Sequence, residues 1–241
     1  MKDCNGRDAL DCLLSPRSIA IIGVSSDFNK LNGRVMKFLL EKGYNGKIFP
    51  VNPKYEEVGG HRCFAAIGDI GEAPELAVIS VPAKVVPEQL EAAGKAGVRA
   101  VIVFSSGFGE MGEEGLEKER QVVEIARRHG MRLCGPNTLG VINAFEGAFA
   151  TFTQYGMGST NPGPVGFVTQ SGAFGTAIAA LARNKWAIRQ AITKQMSVKH
   201  SPDIRFLLDD MFDRMDETNR LFAQEDVRRD LAADHDDAGE D

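Results

Sequence analysis

The stretch SIAIIGVSSDFNKLNGRVMKFLLEKGYNGKIFPVNPK (18–54) decides the fold. It opens on the apolar run SIAIIGV (18–24), breaks at a Gly- and Ser-containing turn, and continues through an amphipathic segment over Gly33–Lys42. A second apolar run, KIFPV (47–51), then begins. Runs of Ile and Val without polar alternation read as strands covered on both faces. Met36, Leu39 and Leu40 mark one apolar face of the intervening helix. The same unit recurs outward. ELAVISVP (75–82) and RAVIVFS (99–105) read as further strands, and MRLCG (131–135) as a weaker fifth. Helical patterns lie between them over Lys84–Ala96, with Val86, Leu90 and Ala93 on one face, and over Glu113–His129. Strand–helix repetition with short links predicts an α/β fold, a Rossmann-like doubly wound parallel sheet. Ligands of such sheets bind at the carboxyl ends of the strands, so the loops there carry the functional argument.

Composition is that of an ordinary globular protein: 241 residues, 43% hydrophobic and 25% charged, with a formal net charge of -5. The charge is uneven. Residues 1–208 hold 24 Lys and Arg against 20 Asp and Glu, a net of +4, whereas 209–241 hold 4 against 13, a net of -9. The acidity belongs to the end of the chain and not to its body. Cys4, Cys12, Cys63 and Cys134 form no C-x-x-C pair, which points away from a zinc or dithiol centre and toward free thiols. The opening MKDCNGRDAL lacks the apolar core of a signal peptide, and no apolar run approaches the ~20 residues that cross a membrane. A cytoplasmic location without membrane contact is the resulting expectation.

Five strand ends supply candidate ligand contacts. After the first strand comes GVSSDFNKLNG (23–33), where Gly23, Ser25, Ser26 and Lys30 precede a helix. The backbone N–H groups at that helix start suit a phosphate, although the loop equally reads as a structural turn, since Ser25 stands where a dinucleotide fingerprint would have its second Gly. The second strand ends in Asn52-Pro53-Lys54. An NAD site would place an acidic residue there for the ribose hydroxyls; Lys54 instead suits a ribose phosphate, or is a solvated turn lysine beside Glu56 and Glu57. The third strand ends at Val81-Pro82, the fourth at Ser105-Ser106-Gly107-Phe108, where small residues let an extended ligand approach the backbone. Asn137, after the fifth, either donates its amide to a ligand carbonyl or closes its own turn.

The motifs SIAIIGVS, FPVNPKYEEVGG, AVISVPA, VFSSGFGE and RLCGPNTLGVIN, in this order and spacing, resemble the CoA-binding domain of ADP-forming acetyl-CoA synthetases, in the succinyl-CoA synthetase superfamily. The resemblance covers about residues 8–186. It implies coenzyme A or acyl-CoA as ligand across the loops just named, with 8–145 as the CoA-binding domain. AFEGAFATFTQYGMGSTNPGP, from Ala144, reads as a Gly-rich linker or extended arm. GPVGFVTQ (163–170) then reads as a strand, followed by a tight turn and a helix over Thr176–Asn184. This part resembles the start of the family's ligase-type domain, making 146–186 a truncated second unit. The resemblance implies that Ser171-Gly172 begins a helix whose amides face a phosphorylated histidine; a simple N-cap turn is the alternative. The family's chemistry passes phosphate from ATP to a histidine, then to an acyl group, and exchanges it for CoA. His61, His129, His200 and His235 lie outside any matching Gly-rich loop, and no P-loop is present. No catalytic residue and no metal ligand is therefore assigned to this chain. ATP, ADP and magnesium would enter only through other domains, or through an ATP-grasp subunit acting in trans.

From Ala187 the character changes. IRQAITKQMSVKHSPDIRFLLDDMFDRMDETNRLF resembles the C-terminal half of ribosome-binding factor A, carried by the spacing of Lys199, Pro202 and Phe206 followed by Asp209-Asp210. That implies a partial KH-like segment over 187–224, with an acidic, disordered tail over 225–241. Arg183, Lys185, Arg189, Lys194, Lys199 and Arg205 either touch RNA phosphates or form a solvated helix face. Three function classes thus compete: CoA binding within an acyl-CoA ligase, a ribosome-associated maturation factor, and an NAD(P)-binding Rossmann protein. Lys54 argues against NAD, and the missing first half of the KH fold argues against specific RNA or ribosome recognition.

Overall fold

Five parallel strands form the expected central sheet. The computed structural model describes residues 7–157 and, beyond them, 162–163, 166–172 and the single positions 175, 177, 180, 184, 190 and 194. The chain divides into two units, Met1–Asn184 and Lys185–Asp241. The segments read as 187–224 and 225–241 lie, apart from positions 190 and 194, outside the described residues.

In chain order the elements are α1 (Ala9–Leu14), β1 (Ser18–Ile22), α2 (Leu31–Glu41), β2 (Lys47–Val51), β3 (Glu57–Val58), β4 (His61–Arg62), β5 (Leu76–Ile79), α3 (Val86–Lys95), β6 (Ala100–Val103), α4 (Glu113–Arg128), β7 (Arg132–Cys134), β8 (Gly140–Asn143) and β9 (Ala148–Thr151). The central sheet runs β2-β1-β5-β6-β7, every pair parallel. Two short antiparallel hairpins, β3–β4 and β8–β9, complete the architecture.

Successive strand residues point to opposite faces, so each central strand feeds two cores. Ile19, Ile21, Leu76, Val78, Ala100 and Ile102 pack with Leu13 of α1, with Val35, Met36 and Leu39 of α2, and with Ala148 and Ala150 of β9. Ala20, Ile22, Ala77, Ile79, Val101 and Val103 pack on the other side with Val86, Leu90 and Ala93 of α3 and Val122, Ile125 and Ala126 of α4. Burial on both faces is why these strands carry unbroken apolar runs. The α2 stripe differs by one position from the sequence expectation: Leu40 is 38% exposed, and Phe38 is buried instead.

The chain leaves β1 toward β2 on one side, then crosses back to β5 on the other. Where connections diverge in this way, a crevice opens above the carboxyl ends of the two neighbouring strands. Here those strands are β1 and β5, so Gly23–Ser26 and Ser80–Pro82 border it.

The stretch from Ala144 is not merely a linker. Gly140–Asn143 pairs with Ala148–Thr151, and all four residues of β9 are buried. The buried hairpin therefore runs past the boundary at 145 drawn from sequence. Two glycines of the hairpin, the second of them within the stretch that read as a linker, are close-packing positions. At Gly140 (φ 96°) a Cβ would lie 2.1 Å from the Ala150 carbonyl oxygen; at Gly147 (φ 67°), 2.5 Å from that of Lys42. By contrast, residues 166–170, expected within a strand, form none, and Val168 is 97% exposed. A strand needs a ladder partner, and none is present for this segment among the described residues. No helix among them is long and apolar enough to cross a membrane. Cys12, Cys63 and Cys134 are free thiols.

Candidate functional site

At the end of β1, Gly23 has φ 85°, and a Cβ there would sit 2.5 Å from the Ser80 carbonyl oxygen and 2.7 Å from Val81 Cγ1. The ends of β1 and β5 approach too closely for any side chain. The Gly23 N–H donates to the Val51 carbonyl (2.9 Å), and its own carbonyl accepts from Asn32 Nδ2 (2.6 Å). Gly33 plays a matching part: a Cβ would lie 2.2 Å from the Asp27 carbonyl oxygen, so the first turn of α2 packs flat on the 24–28 loop. Both glycines thus build the loop. Lys30 occupies the N-cap of α2 and provides no side-chain cap. Ser25 is buried and accepts from the Asp27 N–H (3.1 Å), whereas Ser26 and Lys30 are exposed.

The end of β2 is tied to this loop by Asn52. Its Nδ2 donates to the Val24 carbonyl (2.7 Å), and its Oδ1 accepts from the Lys54 N–H (3.0 Å). Both ends of the amide are engaged, so Asn52 holds two loops together, and the second hydrogen of its Nδ2 is left over. Pro53 and Lys54 are exposed, and the Lys54 ammonium has no ion-pair partner among the described residues. Tyr55, absent from the sequence reading, joins the group. Hydrogen bonds with the hydroxyls of Ser26 and Ser25 hold its phenol below the usual tyrosine range, and the Lys30 charge adds to the effect. Its position directly after Lys54 in a strand-end turn was the available signal.

Further along the edge, Ser105 Oγ donates to the Val81 carbonyl (2.5 Å), fastening the ends of β5 and β6. Val81 is half-buried, and Pro82 and Ser106 are exposed. Gly107 (φ 103°) presents a bare backbone turn, a Cβ there falling 3.2 Å from Ala83 Cβ. Its N–H donates to Glu110 Oε1 (2.5 Å), which holds the Glu110 carboxyl below the usual range. Phe108 does not reach the edge: it is fully buried among the residues facing α3 and α4. Its apolar ring favours that core, so the side chain is no ligand contact in this arrangement. Asn137 follows a cis Gly135–Pro136 bond at φ 54°. Its backbone N–H donates to the Ser105 carbonyl (3.0 Å), leaving an exposed side chain.

Ser171 and Gly172 come to the same edge. Ser171 N–H donates to Thr169 Oγ1 (3.0 Å), the Ser171 carbonyl accepts from Gly175 N–H (3.0 Å), and a Cβ on Gly172 would lie 3.2 Å from Leu139 Cδ1. A helix start therefore stands beside the 137–139 turn. Two of the four histidines have structural partners: His61 Nδ1 lies 3.1 Å from the Gly59 carbonyl, and His129 Nε2 lies 3.1 Å from Glu91 Oε1. His200 and His235 lie outside the described residues. Two shallow hollows run along the outer face of α4, lined by alternating charges such as Glu119, Arg120 and Glu124, and bring together no group from the strand ends.

Taken as a whole, the edge offers backbone turns free of side chains, several hydroxyls and two exposed ammonium groups, Lys30 and Lys54. It suits an extended ligand with phosphate groups. Comparison with known proteins agrees with that chemistry. Residues 17–144 match a family described as CoA binding domain. The chain is 42% identical over 202 residues to the acetate–CoA ligase [ADP-forming] I subunit alpha of Pyrococcus furiosus, covering 81% of this chain and 42% of that one. It superposes with TM-score 0.67 and 36% identity on the dinucleotide forming acetyl-coenzyme A synthetase 1 of Ca. Korarchaeum cryptofilum in complex with phosphate and ADP, over 76% of this chain and 37% of that one. A 55-residue stretch, 23% of this chain, is 51% identical to ribosome-binding factor A of Dinoroseobacter shibae and covers 41% of it. The chain spans about two fifths of the length of the ligase subunit it matches. With the family match extending over 17–144, the chain belongs to the CoA-binding domain family shared by ADP-forming acyl-CoA synthetases.

Proposed function

We propose that this chain binds coenzyme A or an acyl-CoA along the carboxyl edge of its sheet, as the CoA-binding part of an ADP-forming acyl-CoA ligase. The observation that carries the reading is Lys54: an exposed ammonium without an ion-pair partner among the described residues, at the strand end where NAD would require a carboxylate. In this reading Lys54 meets the phosphate on the ribose of CoA. The diphosphate lies against the start of α2, near Ser26 and Lys30, with Tyr55 holding the serine hydroxyls in place. The pantetheine arm then passes Val81, Pro82 and the Ser105–Gly107 turn, where small side chains let it follow the backbone. Ser171 and Gly172 offer helix amides to a phosphorylated group carried by another domain. Phosphoryl transfer from ATP, with magnesium, falls to an ATP-grasp partner acting in trans, and the chain alone forms no acyl-CoA.

Calorimetric titration of the full chain with CoA, dephospho-CoA and NAD(H) tests this. CoA should bind at micromolar to millimolar strength and NAD(H) far more weakly. Lys54→Ala should cost CoA about 1–2 kcal/mol, as for one charge-assisted contact, and leave dephospho-CoA nearly unchanged. An equal loss for both ligands removes Lys54 from the ribose phosphate; a preference for NAD(H) refutes the reading. The 55-residue likeness to ribosome-binding factor A favours a second activity, ribosome association through the C-terminal segment. Small-subunit RNA added to the same titration checks it.

A further inference from the structure

We propose that Asn137 selects acylated CoA over free CoA: its side-chain amide donates to the thioester carbonyl at the sulfur end of the ligand. The selection rests on the CoA reading, which lays the diphosphate at the start of α2, above the end of β1. From there the edge continues over β5 and β6 to β7. Neighbouring strands lie about 4.8 Å apart, so the three steps from β1 to β7 cover about 14 Å. The pantetheine arm is roughly four residues' worth of extended chain, and so it also spans about 14 Å. The sulfur end therefore arrives over the carboxyl end of β7, where the turn 135–139 follows Cys134.

Hydrogen bonds join the strand ends along this path. Ser105 Oγ donates to the Val81 carbonyl (2.5 Å), and the Ser105 carbonyl accepts from the Asn137 N–H (3.0 Å). The ends of β5, β6 and β7 are thus linked in line, with Asn137 last. Within the turn 135–139, Gly135, Pro136 and Leu139 bring no polar side chain, and Thr138 Oγ1 already accepts from the Gly140 N–H (3.3 Å). The Asn137 side chain is exposed and makes no hydrogen bond among the described residues. It stands at φ 54°, whereas every other described residue at positive φ is a glycine. Asparagine is among the few side chains tolerated there, so the position combines a left-handed backbone with an uncommitted amide. An amide N–H donates well to a carbonyl oxygen and poorly to a thiol, whose sulfur is a weak acceptor. The contact is therefore made with a thioester and not with free CoA.

The test titrates the full chain calorimetrically with CoA, acetyl-CoA and S-ethyl-CoA, a thioether of similar bulk that lacks the carbonyl. Wild type, Asn137→Gly and Asn137→Asp are compared, with a thermal melt of each. Glycine accepts the left-handed backbone and removes the amide; aspartate keeps the shape and removes the donor. Wild type should bind acetyl-CoA about two- to tenfold more tightly than CoA or S-ethyl-CoA, the worth of one neutral hydrogen bond. Both variants should lose that preference, and Asn137→Gly should hold CoA itself as the wild type does. Equal binding of acetyl-CoA and S-ethyl-CoA by the wild type, or a preference that survives in either variant, overturns the proposal and leaves the CoA reading standing. An equal loss of all three ligands in Asn137→Gly makes the residue a contact of the arm and not of the carbonyl, and overturns it too. If one variant loses its melting transition, the other decides; if both do, the side chain is structural and the proposal falls. Absence of binding of all three ligands by the wild type removes the CoA reading, and the selection with it.

Discussion

Phe149→Ala probes how far the folded domain extends. Phe149 lies in β9, pairs across the hairpin with Ile142, is 2% exposed, and has the Lys42 ammonium 5.3 Å from its ring centre. Its neighbours Ala148 and Ala150 pack into the core beside α2. Gly147 is pinned under the Lys42 carbonyl, leaving the hairpin little freedom to collapse into a vacated space. Truncating a buried Phe to Ala costs about 3–5 kcal/mol, the lost transfer energy plus an unfilled cavity. That is a large part of the ~5–15 kcal/mol that holds a typical domain together. For a folded unit of this size it corresponds to a fall in melting temperature of roughly 6–20 °C. Circular dichroism melts and urea titrations of the full chain, wild type against variant, would measure it. The urea m-value should stay constant if only stability changes. A loss below about 1 kcal/mol would show that 144–157 is an appendage after all, and the assignment of β9 to the core would be wrong.

Asn52→Ala should cost about 1–2 kcal/mol of stability by freeing the Val24 carbonyl and the Lys54 amide, and should weaken CoA binding about three- to tenfold as the two loops separate; a hundredfold loss at unchanged stability would make Asn52 a direct ligand contact. Alkaline titration followed at 295 nm should show one tyrosine ionising below the normal range, lost in Tyr55→Phe, while burial pushes Tyr44 well above it. Because the Tyr55 phenol is depressed in the folded chain, its contribution to stability is complete only above the unfolded pKa and disappears as the pH falls through the folded value. Tyr55→Phe should thus narrow the alkaline side of the stability profile and leave pH 7 unaffected; if the step lost in the variant is one in the normal tyrosine range, the contact with Ser25 and Ser26 is refuted.

Much of the architecture is settled by chemistry local in sequence. The runs at 18–22, 47–51, 76–79 and 100–103 are apolar on both faces, and only a strand between two layers of helices buries both. Val86, Leu90 and Ala93 recur at helical spacing and are all buried. Parallel order and the ligand edge follow from the alternation of these elements, and Lys54 stands at the end of β2 where an NAD site would carry an acidic residue. Other features were decided by tertiary structure. The strand Ala148–Thr151 has weak strand chemistry and glycine-rich flanks, and it becomes a strand because Gly140–Asn143 and α2 lie against it. Phe108, Asn52 and Ser105 all stand in strand-end loops, yet the first turns into the core while the other two hold carbonyls at Val24 and Val81. Tyr55 reaches serines 29 and 30 residues earlier in the chain. Residue type and order determine which segments are buried and which end of the sheet is open. Which polar atoms remain available to a ligand depends on distances between segments far apart in sequence, and those distances exist only once the strands have paired.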